Sequence, residues 1–461
     1  MKNDETFLDL DLLVIGFGKA GKTLAMTRAA AGDRVAIVEK SPAMYGGTCI
    51  NVACVPTKTL LTSAERVHDA MKQGVLSVSL DEAFASAQEH RDAFIAKLNS
   101  VNKAMAEGKN VAIIDGFARF VAPKTVEVTQ AEGAPLQIMA DTIVINTGAE
   151  PRKLNVPGAD GERVYDSTSI QFVDKRPGEL AVIGAGPIGL EFATMFAHMG
   201  TKVTVVDAGS KFLPMFDRDV ADLLRADLED LGVHFVQGGV QSLTHEGDRV
   251  SVELDQGSVS ADAVLVAIGR VPATADLGLE NAGIETERGF VTVDEYRRTN
   301  VDGIYAVGDV NGGPQFTYIS YDDYRIVLDH KWGEGKKSAN GRIFPTSTFI
   351  NPPLSQIGMN EEQARAWAEE NGKELDIRVS KIADLAIVPR PKILGNPRGM
   401  AKFIIDKANG LIVGAVIYSV DSQELINTVA LAMREQIPAA RIGAGIYTHP
   451  STSELFNAML A

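Results

Sequence analysis

Leu12-Leu13-Val14-Ile15-Gly16-Phe17-Gly18-Lys19-Ala20-Gly21 runs four apolar residues into three glycines spaced Gly-x-Gly-x-x-Gly. Leu180-Ala181-Val182-Ile183-Gly184-Ala185-Gly186-Pro187-Ile188-Gly189 does the same. In each case an acid follows at the same distance, Glu39 after Gly16 and Asp207 after Gly184. The apolar run predicts a buried strand. The glycines permit a tight turn, a close approach of backbone N–H groups to a pyrophosphate and packing of the next helix, and the acid can take a ribose hydroxyl. One such fingerprint is weak evidence; two in register predict an α/β chain with two Rossmann-like dinucleotide-binding units. A second echo, Ala140 to Gly148 and Ala261 to Gly269, closes each unit with a buried strand ending in glycine and reads as a crossing point between domains.

A length of 461 residues suggests about three domains. The chain has 45 Lys and Arg against 60 Asp and Glu, a net charge of -15, which argues against nucleic acid or an anionic membrane as partner. No apolar stretch approaches the length of a membrane span, and the acidic opening Met1 to Glu5 leads straight into a strand, so a cytoplasmic protein is expected. Residues 80–108 read as one long surface helix stopped by Gly108, with no chemical duty. After Gly341 strands and helices mix, as in a separate α+β domain, with Gly333 to Gly341 as its linker.

The only two cysteines, Cys49 and Cys54, stand in Gly46-Gly47-Thr48-Cys49-Ile50-Asn51-Val52-Ala53-Cys54-Val55-Pro56-Thr57-Lys58. On a regular helix this spacing gives about 7.5 Å of rise, beyond the usual Cα separation of a disulfide. A helix that joins them must be distorted, and a bond made under such strain suits a working redox couple better than a staple. Two inert buried thiols are the plain alternative.

Together with Thr299 to Asp309 and His449-Pro450-Ser451-Thr452-Ser453-Glu454, these motifs resemble the flavin-dependent pyridine nucleotide-disulfide oxidoreductases, the family of dihydrolipoamide dehydrogenase, glutathione reductase and mercuric reductase. The resemblance covers essentially the whole chain. It implies an FAD-binding domain over residues 1–150 and 273–340, an NAD(P)-binding domain over 151–272 and a C-terminal dimerisation domain over 341–461. FAD would rest on Gly16, Gly18, Gly21, Glu39, Gly47, Thr48, Lys58, Thr147, Gly148 and Asp309. The nicotinamide donor would rest on Gly184, Gly186, Gly189, Asp207, Gly269 and Arg270. Cys54 would face the flavin, and Cys49 would be the outer, accessible thiol that meets the acceptor. Lys58 and Glu191 would pair near the flavin edge, and a helix starting near Thr317 would point its N-terminus at the ring. His449, oriented by Glu454, would be the acid–base of the neighbouring subunit's site, which implies a homodimer.

The first glycine turn has a rival reading, because Gly16 to Thr23 also fits the phosphate loop of an ATPase, with Lys22 on phosphate and Thr23 on Mg²⁺. Three positions depart from the common family pattern. Ala53 replaces a glycine, which suggests helical backbone there; Pro187 stands where many members carry a tyrosine gate; and Asp207 replaces a glutamate. An acid at Asp207 repels a 2′-phosphate, offset only by Lys211, so NADH is expected over NADPH. Ala43 to Cys49 and Gln315 to Val327 look most like the bacterial reactive-chlorine-resistance flavoproteins, a mercuric-reductase-like branch. This implies a metal-ion or disulfide acceptor, with the Cys49/Cys54 dithiol a soft donor pair for a Cu or Hg substrate ion. Dihydrolipoamide dehydrogenase activity and a redox sensor with little turnover are the alternatives. Tyr318, Tyr321 and Tyr324 read as a packing stripe.

Overall fold

The strand Phe7–Ile15 is exposed at its start and buried over its last residues, as befits the centre of a parallel sheet covered on both faces. It pairs in parallel with Val35–Glu39 on one side and Leu136–Ile145 on the other. Ala112–Asp115 extends the sheet at one end and Ile304–Ala306 pairs with Leu136–Ile145, both in parallel, while Thr125–Thr129 and Phe117–Ala122 continue it beyond Leu136–Ile145 as antiparallel strands. The helix Lys19–Ala30 leaves the first glycine turn, and its Leu24 and Ala25 share a core with Val14, Val144 and Val327. The computed structural model describes residues 7–461; the acidic opening, residues 1–5, lies outside them.

The second glycine turn repeats the arrangement. Glu179–Ile183 is flanked in parallel by Lys202–Asp207 and Ala263–Val266, with His234–Gln237 and Val164–Asp166 at the edges. Pro187 opens the helix Pro187–His198, a position where its missing N–H costs nothing. A three-stranded antiparallel sheet, Val240–Glu246, Arg249–Leu254 and Ser258–Ala261, buries Val250 and Val252 with Ala181 and Ile183.

The C-terminal part is a five-stranded antiparallel sheet, with Ile412–Tyr418 between Leu354–Gly358 and Met400–Asp406. The helix Ser422–Arg434 supplies Leu425, Ile426 and Val429 to its core, against Phe403 and Phe456. Two Rossmann-like sheets and a C-terminal α+β domain are therefore present. The chain forms two compact units. The first comprises Met1–Leu60, Ser86–Arg152 and Gly269–Gly341, and the second Leu61–Ala85, Lys153–Ile268 and Arg342–Ala461. The two predicted crossing points meet within the first unit, where Ala149–Pro151 pairs with Arg270–Pro272. Among the described residues no helix is long and apolar enough to cross a membrane.

Candidate redox site

Gly16 and Gly184 have φ of +97° and +106°, where an added Cβ would fall 2.5 Å from the Asn146 carbonyl oxygen and 2.6 Å from that of Ala267. The first glycine of each turn thus sits against the end of the crossing strand, a contact only glycine allows. Gly47, at φ +79°, lies so close to the first turn that a Cβ would be 2.7 Å from the Gly18 Cα. The cysteine motif is thereby seated directly on the dinucleotide turn.

The helix is broken between the two cysteines. Thr48–Asn51 forms a single turn, Val52 leaves helical geometry with φ −139°, and the long helix Cys54–Lys72 begins afresh. Ala53 has no positive φ but lies in a bend, so the expectation of helical backbone there is corrected: the break falls on Val52 and Ala53. It sets the thiols of Cys49 and Cys54, which are not joined in a disulfide, beside each other. The Thr317 hydroxyl, at the start of the helix Thr317–Trp332, is 3.7 Å from the Cys54 sulfur. The hydrogen bond with Cys54 and then burial hold the Cys49 thiol far above its ordinary range, against the opposing pull of Thr317 and Lys22. Cys54 stands at the first residue of its helix, where the helix dipole favours a thiolate. Cys54 is exposed and Cys49 half-buried. Cys49 is tucked into the short turn behind Gly46 and Gly47, whereas Cys54 opens a helix.

The long helix Leu80–Glu107 forms as predicted, but it has a duty at this site. Asn99 donates to the Asn51 side chain at 3.2 Å and to the Pro42 carbonyl at 3.1 Å. Asn51 in turn donates to the carbonyls of Tyr45 and Gly47. Asn102, fixed on the Leu98 carbonyl at 2.7 Å, accepts from the Lys22 ammonium. Two polar residues three apart on a mixed-charge helix carry no sequence signal that separates them from a solvated face. Lys22 is only 5% exposed and turned towards Asn102, and Thr23 donates to the Lys19 carbonyl at 2.7 Å. Both side chains are committed within the fold, which removes the support for the phosphate-loop reading.

The surroundings of the first turn fit a flavin dinucleotide. The Thr147 hydroxyl is buried without a partner among the described residues, which marks a polar position awaiting a ligand group. Gly148 beside it has φ +77°, its Cβ position 3.7 Å from the Thr48 hydroxyl. Gly21 donates to Asn146 at 2.9 Å. Glu39 ends its strand and accepts from the N–H groups of Phe17 and Ser41, and burial raises its carboxyl above the usual range. Each carboxylate oxygen keeps a further lone pair for a hydroxyl donor. Asp309 is likewise raised by burial, with the Arg270 charge drawing it back. At the second turn nothing stands within 4 Å of a Cβ built on Gly186, so the backbone there is approachable. Gly189 packs on the Gly184 carbonyl, Asp207 ends the strand Lys202–Asp207, and Gly269, at φ +105°, precedes Arg270 in the paired crossing strands.

Lys58 lies one turn after Cys54 on the same helix, half-buried. Glu191, 6% exposed, accepts the Phe349 N–H at 2.9 Å. His449 Nδ1 and Glu454 Oε1 are 2.9 Å apart, and the other carboxylate oxygen accepts the Ser451 N–H at 2.9 Å. These two bonds, the Ser451 one first, hold the Glu454 carboxyl below its ordinary range. Tyr324 packs into the core of the first sheet, Tyr321 lies between the charges of Lys19 and Arg325, and Tyr318 is exposed and stacked on Phe316.

Comparison with known proteins agrees with this geometry. Residues 10–323 match the pyridine nucleotide-disulphide oxidoreductase family, and residues 344–460 match the dimerisation domain of the same family. A probable pyridine nucleotide-disulfide oxidoreductase of Escherichia coli (strain K12), RclA, is 43% identical over 96% of this chain and 97% of its own length. The dihydrolipoyl dehydrogenase of Bacillus subtilis (strain 168) is 32% identical over 97% of this chain and 95% of its own. The solved Cu(II) complex of the HOCl-induced flavoprotein disulfide reductase RclA from Escherichia coli superposes with a TM-score of 0.91 at 42% identity, covering 98% of this chain and 99% of that one. A chain that carries both dinucleotide turns, a dithiol at a helix break and these full-length relatives belongs to the pyridine nucleotide-disulfide oxidoreductases, flavin-dependent enzymes that use a pyridine nucleotide.

Proposed function

We propose that the protein is a homodimeric, FAD-dependent NADH oxidoreductase that delivers electrons through Cys49 and Cys54 to a soft metal ion, Cu(II) or Hg(II), or to a disulfide, in defence against oxidants or metals. The observation that carries this is the break between Thr48–Asn51 and Cys54–Lys72, which sets the two cysteines beside each other at the start of a helix. The metal reading draws on RclA, a relative solved with Cu(II) and described as HOCl-induced. Residues 1–150 and 273–340 would hold FAD, 151–272 the nicotinamide, and 341–461 the dimer contact.

Bound FAD would relay a hydride equivalent from the nicotinamide as an electron pair to the disulfide. The work of the chain is then to hold the separated charges. Cys54 carries the first thiolate, supported by its helix N-terminus and the Thr317 hydroxyl. Lys58 and Glu191, paired, would set the local charge at the flavin edge. Glu454 holds His449 by Nδ1, leaving Nε2 to take the Cys49 proton across the dimer. With a disulfide acceptor, the Cys49 thiolate attacks one sulfur, the acceptor bond breaks with its electron pair on the leaving thiolate, and Cys54 then displaces the mixed disulfide. With copper, the dithiol closes to the disulfide, two protons leave and two Cu(II) become two Cu(I).

Asp207 favours NADH by repelling a 2′-phosphate. The test is steady-state NADH and NADPH oxidation screened over Cu(II), Hg(II), lipoamide, oxidised glutathione and oxygen. Faster turnover with a metal ion or glutathione disulfide, and a higher kcat/KM for NADH, are expected. Turnover confined to lipoamide would favour the dihydrolipoyl dehydrogenase reading, turnover with none would favour a sensor, and a preference for NADPH would overturn the nicotinamide assignment.

A further inference from the structure

The His449 side chain is 70% exposed and is held at Nδ1 by the Glu454 carboxylate, so the direction of its Nε2 follows from where Glu454 stands. Glu454 ends the short turn Thr452–Glu454, and the hydroxyl of Thr452, 2% exposed, donates to Asp421 Oδ2 at 2.7 Å. The same oxygen accepts the Arg390 Nε–H at 2.7 Å. Both partners lie 31 residues from Asp421 along the chain, so these are not the local bonds that an aspartate makes within its own turn. Asp421 is itself a fixed point between the strand Ile412–Tyr418 and the helix Ser422–Arg434. On its two sides the Ser419 N–H and the buried Ser422 hydroxyl both donate to the Pro353 carbonyl, at 3.2 Å and 2.7 Å. Its φ of +62° is a conformation that glycine adopts freely and that a residue with a Cβ keeps when its surroundings hold it. A carboxylate at this position, in place of a glycine, ties the Glu454 turn to the end of the strand and to the helix Arg390–Ile393.

We propose that Asp421 is a positioning residue for His449: through the Thr452 hydroxyl it fixes the turn that carries Glu454, and with it the direction in which the imidazole Nε2 faces the acceptor step. This rests on the reading of His449 as the acid–base of that step. Glu454 sets which ring nitrogen is free, and Asp421 sets where that nitrogen points.

The test reduces the full-length, FAD-loaded protein with NADH and follows its reoxidation by excess 2-hydroxyethyl disulfide in a stopped-flow instrument. Asp421→Gly removes the carboxylate and relieves the backbone, and it is expected to slow reoxidation by about tenfold while the rate of flavin reduction by NADH stays as in the parent. Thr452→Val should do the same, and Thr452→Ser, which keeps the hydroxyl, should stay within about twofold of the parent. In a His449→Gln background Asp421→Gly should add no further slowing, because its effect passes through the imidazole. If Asp421→Gly reoxidises within about twofold of the parent while His449→Gln is slow, the positioning role is overturned and the acid–base reading stands. Equal slowing by Asp421→Gly with and without His449 also overturns it, since the carboxylate then acts elsewhere. If His449→Gln reoxidises as fast as the parent, the acid–base reading fails and takes the proposal with it. Should Asp421→Gly not fold, Thr452→Val against Thr452→Ser decides by the same criteria.

Discussion

At the residue scale the site works by giving neighbouring groups unequal charge. Cys54 sits at a helix N-terminus beside the Thr317 hydroxyl, and the neighbouring Cys54 followed by burial holds the Cys49 thiol far above its ordinary range. A base is then needed to free Cys49, which is the part assigned to His449. His449→Gln is expected to lower turnover with a disulfide acceptor by about 10²–10⁴, with the dithiol potential unchanged; rapid-mixing kinetics and glutathione equilibration check the two halves. The glycines, both acids, the cysteines and the His449 to Glu454 pair were legible in the sequence because each belongs to a local motif with fixed spacing. Asn99, Asn102 and the true setting of Lys22 were not, since their meaning comes from a helix that returns to the site some fifty residues after Cys49. Lys22 even pointed the wrong way, because Gly-Lys-Thr is shared with phosphate loops.

At the scale of elements, the distorted helix was foreseen from the geometry of the spacing, and its break at Val52 and Ala53 bears that out. The long helix Leu80–Glu107 stops at Gly108 and the helix Thr317–Trp332 starts at Thr317, both as read from the sequence. Contacts between helices were not readable. His68, from Cys54–Lys72, stacks on His198, from Pro187–His198, with centroids 4.5 Å apart. The His68 Nε2 and His198 Nδ1 atoms are buried without partners among the described residues. Burial first, then the charges of His68, Lys72 and Arg398, pushes His198 down to about 3. The folded state therefore binds fewer protons here than the unfolded chain once the pH falls below about 6.5. Stability should fall towards pH 3 with a slope of up to about 1.4 kcal/mol per pH unit for this group. His198→Phe is expected to flatten the dependence of Tm on pH between those limits, and an unchanged slope would show that the stack is not the acid-sensitive element.

At the scale of the whole molecule, the class of fold followed from the two glycine turns, while the joints between its parts did not. One joint inside the second unit is built on Lys402, 2% exposed on Met400–Asp406, which reaches Asp217 at 3.1 Å, Asp219 at 2.9 Å and Glu361 at 2.8 Å. Burial alone would lower the Lys402 ammonium; the three carboxylates outweigh it and hold it above its ordinary range. Lys402→Met leaves those acids facing one another and is expected to cost about 3–5 kcal/mol, read as a lower urea midpoint with little change in the slope.

The central claim is that one sulfur–sulfur couple relays the electrons, and anaerobic reductive titration of the flavin-loaded protein tests it most directly. The parent should take up about two more electron equivalents per subunit than Cys54→Ser, and the variant should lose acceptor turnover. Equal uptake together with undiminished turnover in Cys54→Ser would contradict the account.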